Sequence, residues 1–363
     1  LADLDQVKPE LNEVDVTDSL DKALQGYRHY LQETPANRRT PEALRRLADL
    51  QLEREYGAMV GNQSQMAAPQ SFAPTDSPLA GAGQGGEAKE PLESEAEFEL
   101  RASEVALAPF EDAGQVEQSP DGHAVAGESP RAAIATYLRI LDTYPHYERN
   151  DQVLYQMARA YDELGENDQA IETMQRLSQR YPNSEYLDEI FFRRGEYFFI
   201  RRKYLDAEDA YGAVVALRRD SQFHELALYK LGWTFYKQEF YDEALHKYIE
   251  LLDYKLAQGY DFDSINYEMD VQTGDLEEER RVADTFRVIS LAFSNLGGAD
   301  ILNEYFAQRG SRSYEDRIYS NLAEFYVEKL RFNDAADVYR SFVDLNPLHR
   351  RAPHFSMRVV QIY

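Results

Sequence analysis

The sequence predicts an all-α protein, a solenoid of helix hairpins, because one pattern recurs along the chain with a 37-residue step. An alanine returns every 37 residues, and a large apolar residue follows each alanine four positions later. A spacing of four places both residues on the same face of a helix. The alanines are Ala133, Ala170, Ala207 and Ala244, and the residues that follow them are Tyr137, Met174, Tyr211 and Tyr248.

Another helix, the first of each hairpin, precedes the helix that carries each of the last three alanines. It carries a small residue twelve positions before the alanine and an aromatic residue three positions after the small one. A small residue lets two helices approach closely, and the ring fills the space beside it. Pro145 and Pro182 end two of the hairpins, since proline cannot continue a helix. The small residues are Ala158, Gly195 and Gly232, and the aromatic residues are Tyr161, Phe198 and Phe235.

These positions resemble the tetratricopeptide repeat family, which has a small residue, an aromatic, an alanine and a terminal proline in this order. The usual period of that family is about 34 residues, so 37 predicts slightly longer helices or turns. The resemblance implies a right-handed superhelix whose concave face is lined by the first helix of each hairpin. In its long repeats, its lack of cysteine and its many tyrosines, the sequence is similar to bacterial cell-envelope proteins of the family.

The same pattern extends toward both ends of the chain. Residues 319–347 form a further hairpin, residues 287–298 resemble a degenerate first helix, and residues 20–35 resemble a second helix. The sequence stops at Tyr363 inside another apolar first helix. Because a repeat array needs a polar terminal cap, we expect the native chain to continue.

Two segments interrupt the pattern. The first helix that contains Ala48 is separated from its partner alanine, Ala133, by an insertion at residues 57–129. The insertion has 13 acidic residues against two basic ones and is rich in glycine, proline and alanine, so we predict a disordered segment. Within it, residues 93–110 mix acids with apolar residues, and this leaves open that they fold on a partner. Otherwise the insertion is a spacer whose deletion changes stability little.

The second interruption, residues 254–278, is acidic and aromatic, and we expect an ordered connecting loop. Its acidic residues do not have the spacing of a calcium loop, so no metal is predicted. The predicted organisation is N-terminal helices at 1–56, the insertion at 57–129, a regular array at 130–253, the loop at 254–278, and further repeats at 279–363.

The sequence carries no pattern typical of an enzyme or of a cofactor site. Ser19 and Lys22 form an S-x-x-K string without its partner motifs, and no phosphate-binding glycine loop is present. The net charge of −26 argues against nucleic acid and anionic lipid as partners. No stretch is apolar for the roughly 20 residues that span a bilayer. We therefore predict a non-enzymatic scaffold that binds proteins or peptides, and leave its oligomeric state open.

The resemblance places the binding groove on the first helices, at positions three before the small residue and one and four after it. Aromatic residues dominate these positions, and exposed apolar patches usually mark binding sites. A buried core face is the alternative, and an accessible Trp233 would distinguish the groove from it. The predicted groove residues are Tyr155, Arg159, Phe192, Phe199, Tyr229, Trp233 and Tyr236.

A basic cluster within an acidic chain is a second candidate surface. It either pairs with nearby acids or docks an acidic partner. Its members are Arg193, Arg194, Arg201, Arg202 and Lys203.

The absence of cysteine, the abundance of tyrosine and the resemblance favour a bacterial envelope assembly, with the protein periplasmic or associated with the outer membrane. The alternatives are a cytoplasmic adaptor and a regulatory arm attached to a downstream domain.

Overall fold

The computed structural model describes residues 16–63, 93–103, 130–217, 221–262 and 276–363, and its regular elements there are all α-helices. None of these helices is long and apolar enough to cross a membrane. In chain order they are α1 (Val16–Glu33), α2 (Thr40–Gln63), α3 (Glu95–Ser103), α4 (Pro130–Thr143), α5 (Asn150–Glu163), α6 (Asn167–Arg180), α7 (Leu187–Ile200), α8 (Tyr204–Leu217), α9 (His224–Lys237), α10 (Tyr241–Ala257), α11 (Leu276–Leu296), α12 (Ala299–Arg309), α13 (Glu315–Glu328), α14 (Phe332–Leu345) and α15 (Ala352–Ile362).

The helix starts confirm the 37-residue period. The first helices α5, α7 and α9 begin at residues 150, 187 and 224, and each has 14 residues. The second helices α4, α6, α8 and α10 begin at residues 130, 167, 204 and 241. The same step separates α13 from α15, which begin at residues 315 and 352. Consecutive helices such as α5 and α6, α9 and α10, and α13 and α14 pack against each other as hairpins.

The chain divides into two compact units, each described here by itself. The first comprises residues 1–89 and 107–187, and the second comprises residues 90–106 and 188–363. In the first unit, α2 packs against α4 although the insertion separates them in the sequence. Ala48 and Ala133 are both fully buried, and the Tyr137 hydroxyl donates to Asp49 Oδ1 at 2.8 Å.

Four hairpins turn through the same left-handed residue. Gly165, Arg202, Glu239 and Leu330 occupy equivalent positions after their first helices, with φ between 57° and 71°. In each turn the next amide bonds back to a carbonyl five residues earlier, as in a Schellman cap. Only the first of these turns has the glycine that this conformation favours, so the sequence pattern alone did not reveal the shared geometry.

The two interruptions differ from what the sequence predicts. Residues 95–103 form helix α3 inside the segment predicted to be disordered, and α2 extends to Gln63. Helix α10 continues to Ala257 and α11 begins at Leu276, so a helix occupies the beginning of the predicted loop. Residues 64–92, 104–129 and 263–275 lie outside the described residues, and the predictions made for them stay predictions.

Candidate interaction groove

Three of the predicted groove residues, Tyr229, Trp233 and Tyr236, lie on one face of α9. All three are buried, and Trp233 is 0% exposed. The expectation that Trp233 is accessible is therefore wrong. Trp233 lies among rings, with centroids 5.4 Å from Tyr236 and 6.4 Å from both Tyr229 and Tyr248. These separations are typical of favourable edge-to-face pairs.

Helix α3 covers this aromatic face. Phe98, at its centre, is 0% exposed, and its ring centroid lies 5.9 Å from that of Trp233. The guanidinium of Arg287, on α11, lies 4.0 Å from the Phe98 centroid. We call the surface of α9 and α11, together with Lys329 after α13, that contacts α3 the α3 groove.

The carboxyl end of α3 is held by two donors from α9. The Tyr229 hydroxyl donates to the carbonyl of Ala102 at 2.9 Å, and Lys230 Nζ donates to the carbonyl of Ser103 at 2.9 Å. The last carbonyls of a helix lack partners within it and carry partial negative charge, so a cation there is stabilising. Lys230 is 1% exposed, and its ammonium also lies 3.0 Å from Glu196 Oε1.

Two arginines, Arg101 in the last turn of α3 and Arg287 on α11, bind Glu93, which precedes α3. Arg101 donates to both carboxylate oxygens of Asp284 at 2.8 and 3.0 Å, and it also bonds Glu93. Arg287 donates to the same Glu93 carboxylate at 3.0 Å. The hydrogen bonds from Arg101, together with the charge of Arg287, lower the pKa of Glu93 below its ordinary value. These charges form one network between α3 and α11.

Two further carboxylates of α3 face cations of the groove. Glu99 accepts from Lys237 Nζ at 2.7 Å and from the Tyr236 hydroxyl at 3.3 Å. Glu95 accepts from Nζ of Lys329, the residue that follows α13, at 2.8 Å. Burial raises the pKa of Tyr236, and the charge of Glu99 raises it further, so its hydroxyl remains a donor at neutral pH.

The amino terminus of α3 has its own local cap. The Ser94 hydroxyl accepts from the amide of Glu97 at 3.3 Å, and the Glu97 carboxylate accepts from the amide and the hydroxyl of Ser94. This reciprocal arrangement is a capping box, which satisfies amides that the first turn leaves unpaired. The S-x-x-E pattern was therefore a sequence signal for α3.

The other predicted aromatic positions of the second unit are buried by their own hairpin and by the start of the next one. Phe192 lies 5.5 Å from both Tyr211 and Phe223, measured between centroids, and is fully buried. Phe199 is buried beside Tyr204, and Lys230 Nζ lies 5.0 Å from its centroid. Phe192 is thus a core residue, because the helix that follows its hairpin covers it.

Tyr155 and Arg159 belong to the first unit. The Tyr155 ring stacks on Tyr186 with 4.3 Å between centroids, and the Arg159 guanidinium lies 5.9 Å from the Tyr155 centroid. Both side chains are buried. The expectation that these two residues are exposed is wrong, and the described groove of the second unit does not include them.

The basic cluster separates into two sets of residues. Arg193 is half-buried and bonds Glu189 at 2.8 Å, and the half-buried Arg194 lies 5.9 Å from the rings of Phe191 and Phe198. The turn residues are exposed, and the Arg201 guanidinium lies 3.6 Å above the Tyr197 ring. Only this second set offers a basic surface; it comprises Arg201, Arg202 and Lys203.

The sequence pattern missed the polar half of the groove. It identified the rings on α9 but not the charged residues between and beyond them, since a repeat pattern marks helix faces rather than ion pairs. The missed residues are Lys230, Lys237, Asp284, Arg287 and Lys329.

Residues 152–184 match the family model described as tetratricopeptide repeat. The match spans α5 and α6, and the same hairpin recurs at the 37-residue step. This hairpin is therefore similar to a tetratricopeptide repeat.

Several solved structures are similar to this chain at low identity. A tetratricopeptide repeat protein from Parabacteroides merdae is 12% identical, with 96% of this chain and 93% of that chain covered and a TM-score of 0.37. The C-terminal part of one from Cytophaga hutchinsonii is 12% identical, with 94% and 95% covered and a TM-score of 0.37. MamA from Desulfovibrio magneticus is 16% identical, with 55% and 86% covered and a TM-score of 0.31. None of the curated proteins compared with the chain matches it.

Proposed function

We propose that this protein is a non-enzymatic scaffold that binds a protein or peptide partner as a helix in the α3 groove. The observation that carries the proposal is α3 itself. A short helix lies against Tyr229, Trp233 and Tyr236, with its aromatic side chain buried and its carboxylates on groove cations. Recognition of an amphipathic helix in a groove is a common mode of peptide binding.

The groove has the composition of an interaction surface. It combines tryptophan, tyrosine and arginine, the residue types that dominate binding energy at interfaces. Its polar groups, which are donors except for Asp284, surround an apolar centre, and such an arrangement sets the orientation of a bound helix. The negative net charge supports protein over nucleic acid as the partner.

The proposal includes a role in a bacterial envelope assembly. The cysteine-free, tyrosine-rich composition and the family resemblance support it. A cytoplasmic adaptor and a regulatory arm are the alternatives. Fractionation of the native organism distinguishes the first two, since the envelope role requires the protein outside the cytoplasm.

Site-specific photo-crosslinking in the native organism tests the scaffold function. A photoreactive phenylalanine analogue replaces Tyr236 in the groove or, as a control, the exposed Leu205 on α8. We expect a discrete crosslinked partner from position 236 and none of that size from position 205. Crosslinking to the same proteins at both positions, or to none at 236, would contradict the proposal.

A further inference from the structure

We propose that the partner of the α3 groove is a short acidic amphipathic helix built like α3, and that α3 is its internal competitor. This inference rests on the proposed scaffold function and specifies the chemistry of the partner. The supporting observations are the apolar contacts, the ion pairs and the hydrogen bonds to terminal carbonyls that α3 makes with the groove.

The apolar requirement comes from the rings of α9 and α10. Trp233 and Tyr248 are fully buried, and the ring of Phe98 lies against that of Trp233. The Tyr248 hydroxyl is buried without a hydrogen-bond partner among the described residues. An occupant must therefore supply an aromatic or similarly large apolar side chain at the position of Phe98 to keep water from this cluster.

The charge requirement comes from the cations that α3 neutralises. Lys237 and Lys329 each bond a carboxylate of α3, and Arg287 bonds that of Glu93, two residues before it. An apolar helix in the same place would lose these ion pairs, and a basic helix would also be repelled by the cations. The groove therefore selects for acidic helices and against basic ones.

The ends of the groove define the direction of the bound helix. Lys230 is almost completely buried and bonds a backbone carbonyl at the end of α3, together with Tyr229. Only the carboxyl end of a helix presents free carbonyls there. Asp284 adds a requirement for one cation, which Arg101 supplies.

These contacts translate into a sequence signature. Relative to Phe98, carboxylates lie at positions −5, −3 and +1, and the arginine lies at +3, so the pattern is E-x-E-x-x-F-E-x-R. Position +2 is unconstrained, because Leu100 is 59% exposed. A partner helix with this pattern would make the contacts that α3 makes.

Several features of α3 allow a partner helix to displace it from the groove. Nine residues are too few for a helix that is stable by itself in water, so α3 depends on the groove. The ion pair of Glu95 with Lys329 is well exposed, and such pairs contribute little. Tethering gives α3 an effective concentration in the millimolar range at most, which a partner of adequate affinity overcomes.

Fluorescence anisotropy with a labelled peptide tests the inference. The probe is a peptide of residues 93–103, acetylated and amidated so that its two ends carry no charge. The receptor is the full chain. We expect the peptide to bind the Phe98→Ala chain at least about tenfold more tightly than the wild-type chain, because the internal competitor is weakened. The Arg101→Glu chain, which repels Asp284, releases α3 without altering the aromatic ring and should behave in the same way.

Matched peptides test the register. A Phe98→Ala peptide should bind about 30-fold more weakly, the effect of losing a central hot spot, whereas a Leu100→Ala peptide should bind like the parent. Equal affinity for wild-type and variant chains, or equal affinity of all three peptides, would overturn the inference. The scaffold function fails separately, by the crosslinking test. A crosslinked partner whose yield does not rise in the Phe98→Ala chain would contradict the competition alone.

Discussion

At the scale of single residues, the smallest side chains determine how closely the helices of the second unit approach. Gly232 on α9 faces Tyr248 on α10, and a Cβ atom there would lie 2.7 Å from the ring. Gly195 on α7 faces Tyr211 on α8 in the same way. These pairs could be predicted from the sequence, because the glycines and tyrosines recur at the repeat step.

The glycines provide a matched pair of substitutions. Gly232→Ala should lower the free energy of unfolding by about 1–3 kcal/mol, because the added methyl overlaps a ring that is packed on all sides. Gly212→Ala, within α8, has no atom within 4 Å of the added methyl and should stabilise by up to about 1 kcal/mol through helix propensity. Urea unfolding measures both, and a change of the same sign in both variants would contradict the assigned register.

The exposure of Trp233 could not be predicted at this scale. The repeat pattern shows which helix face carries a residue, but the atoms that cover that face come from α3, far away in the sequence. Helical periodicity within α9 cannot predict a contact with a helix that is distant in the sequence. The same limit explains why Lys230 went unnoticed, since its partners are a distant backbone carbonyl and Glu196.

At the scale of elements, α3 is the helix that sequence reasoning placed in a disordered segment. The average composition of residues 57–129 is that of a disordered chain, and a nine-residue helix hardly changes that average. The capping box and the mixture of acids with Phe98 were local signals. They do not by themselves fold a short helix, because its stability comes from the groove.

The docking of α3 should depend on pH through Glu93. Its pKa is lowered by hydrogen bonds from Arg101 and by the charges of Arg101 and Arg287, with Asp284 bound to the far side of Arg101. A lowered pKa means that this carboxylate stabilises the docked state above its ordinary pKa of about 4.5. The contribution is lost as pH falls through the lowered value.

Tryptophan emission between pH 6 and pH 3 measures this dependence. In the wild-type chain the emission should move to longer wavelength below about pH 4.5 as α3 detaches. Glu93→Gln should show weaker docking already at pH 7 and a smaller change across the range. An identical profile in both chains would show that Glu93 does not control docking.

At the scale of the whole chain, the repeat architecture was predictable and the role of the insertion was not. Small and aromatic residues at a 37-residue step specify the hairpins, and the helix starts follow that step. The insertion lies between α2 and α4 of the first unit, yet residues 90–106 belong to the second unit. A deletion of residues 57–129 would also remove α3, so the prediction that it changes stability little now depends on how much α3 contributes.

The accessibility of Trp233 tests the central claim, that α3 fills the groove. It is the single tryptophan, so acrylamide quenching reports on this site alone. The account predicts a shielded Trp233 in the wild-type chain and in Leu100→Ala, and a quenchable one in Phe98→Ala. Helical circular dichroism should be unchanged in Leu100→Ala and should fall in Phe98→Ala by no more than the loss of the nine residues of α3. A wild-type Trp233 that acrylamide quenches freely, or a Phe98→Ala chain in which it stays shielded, would contradict the account.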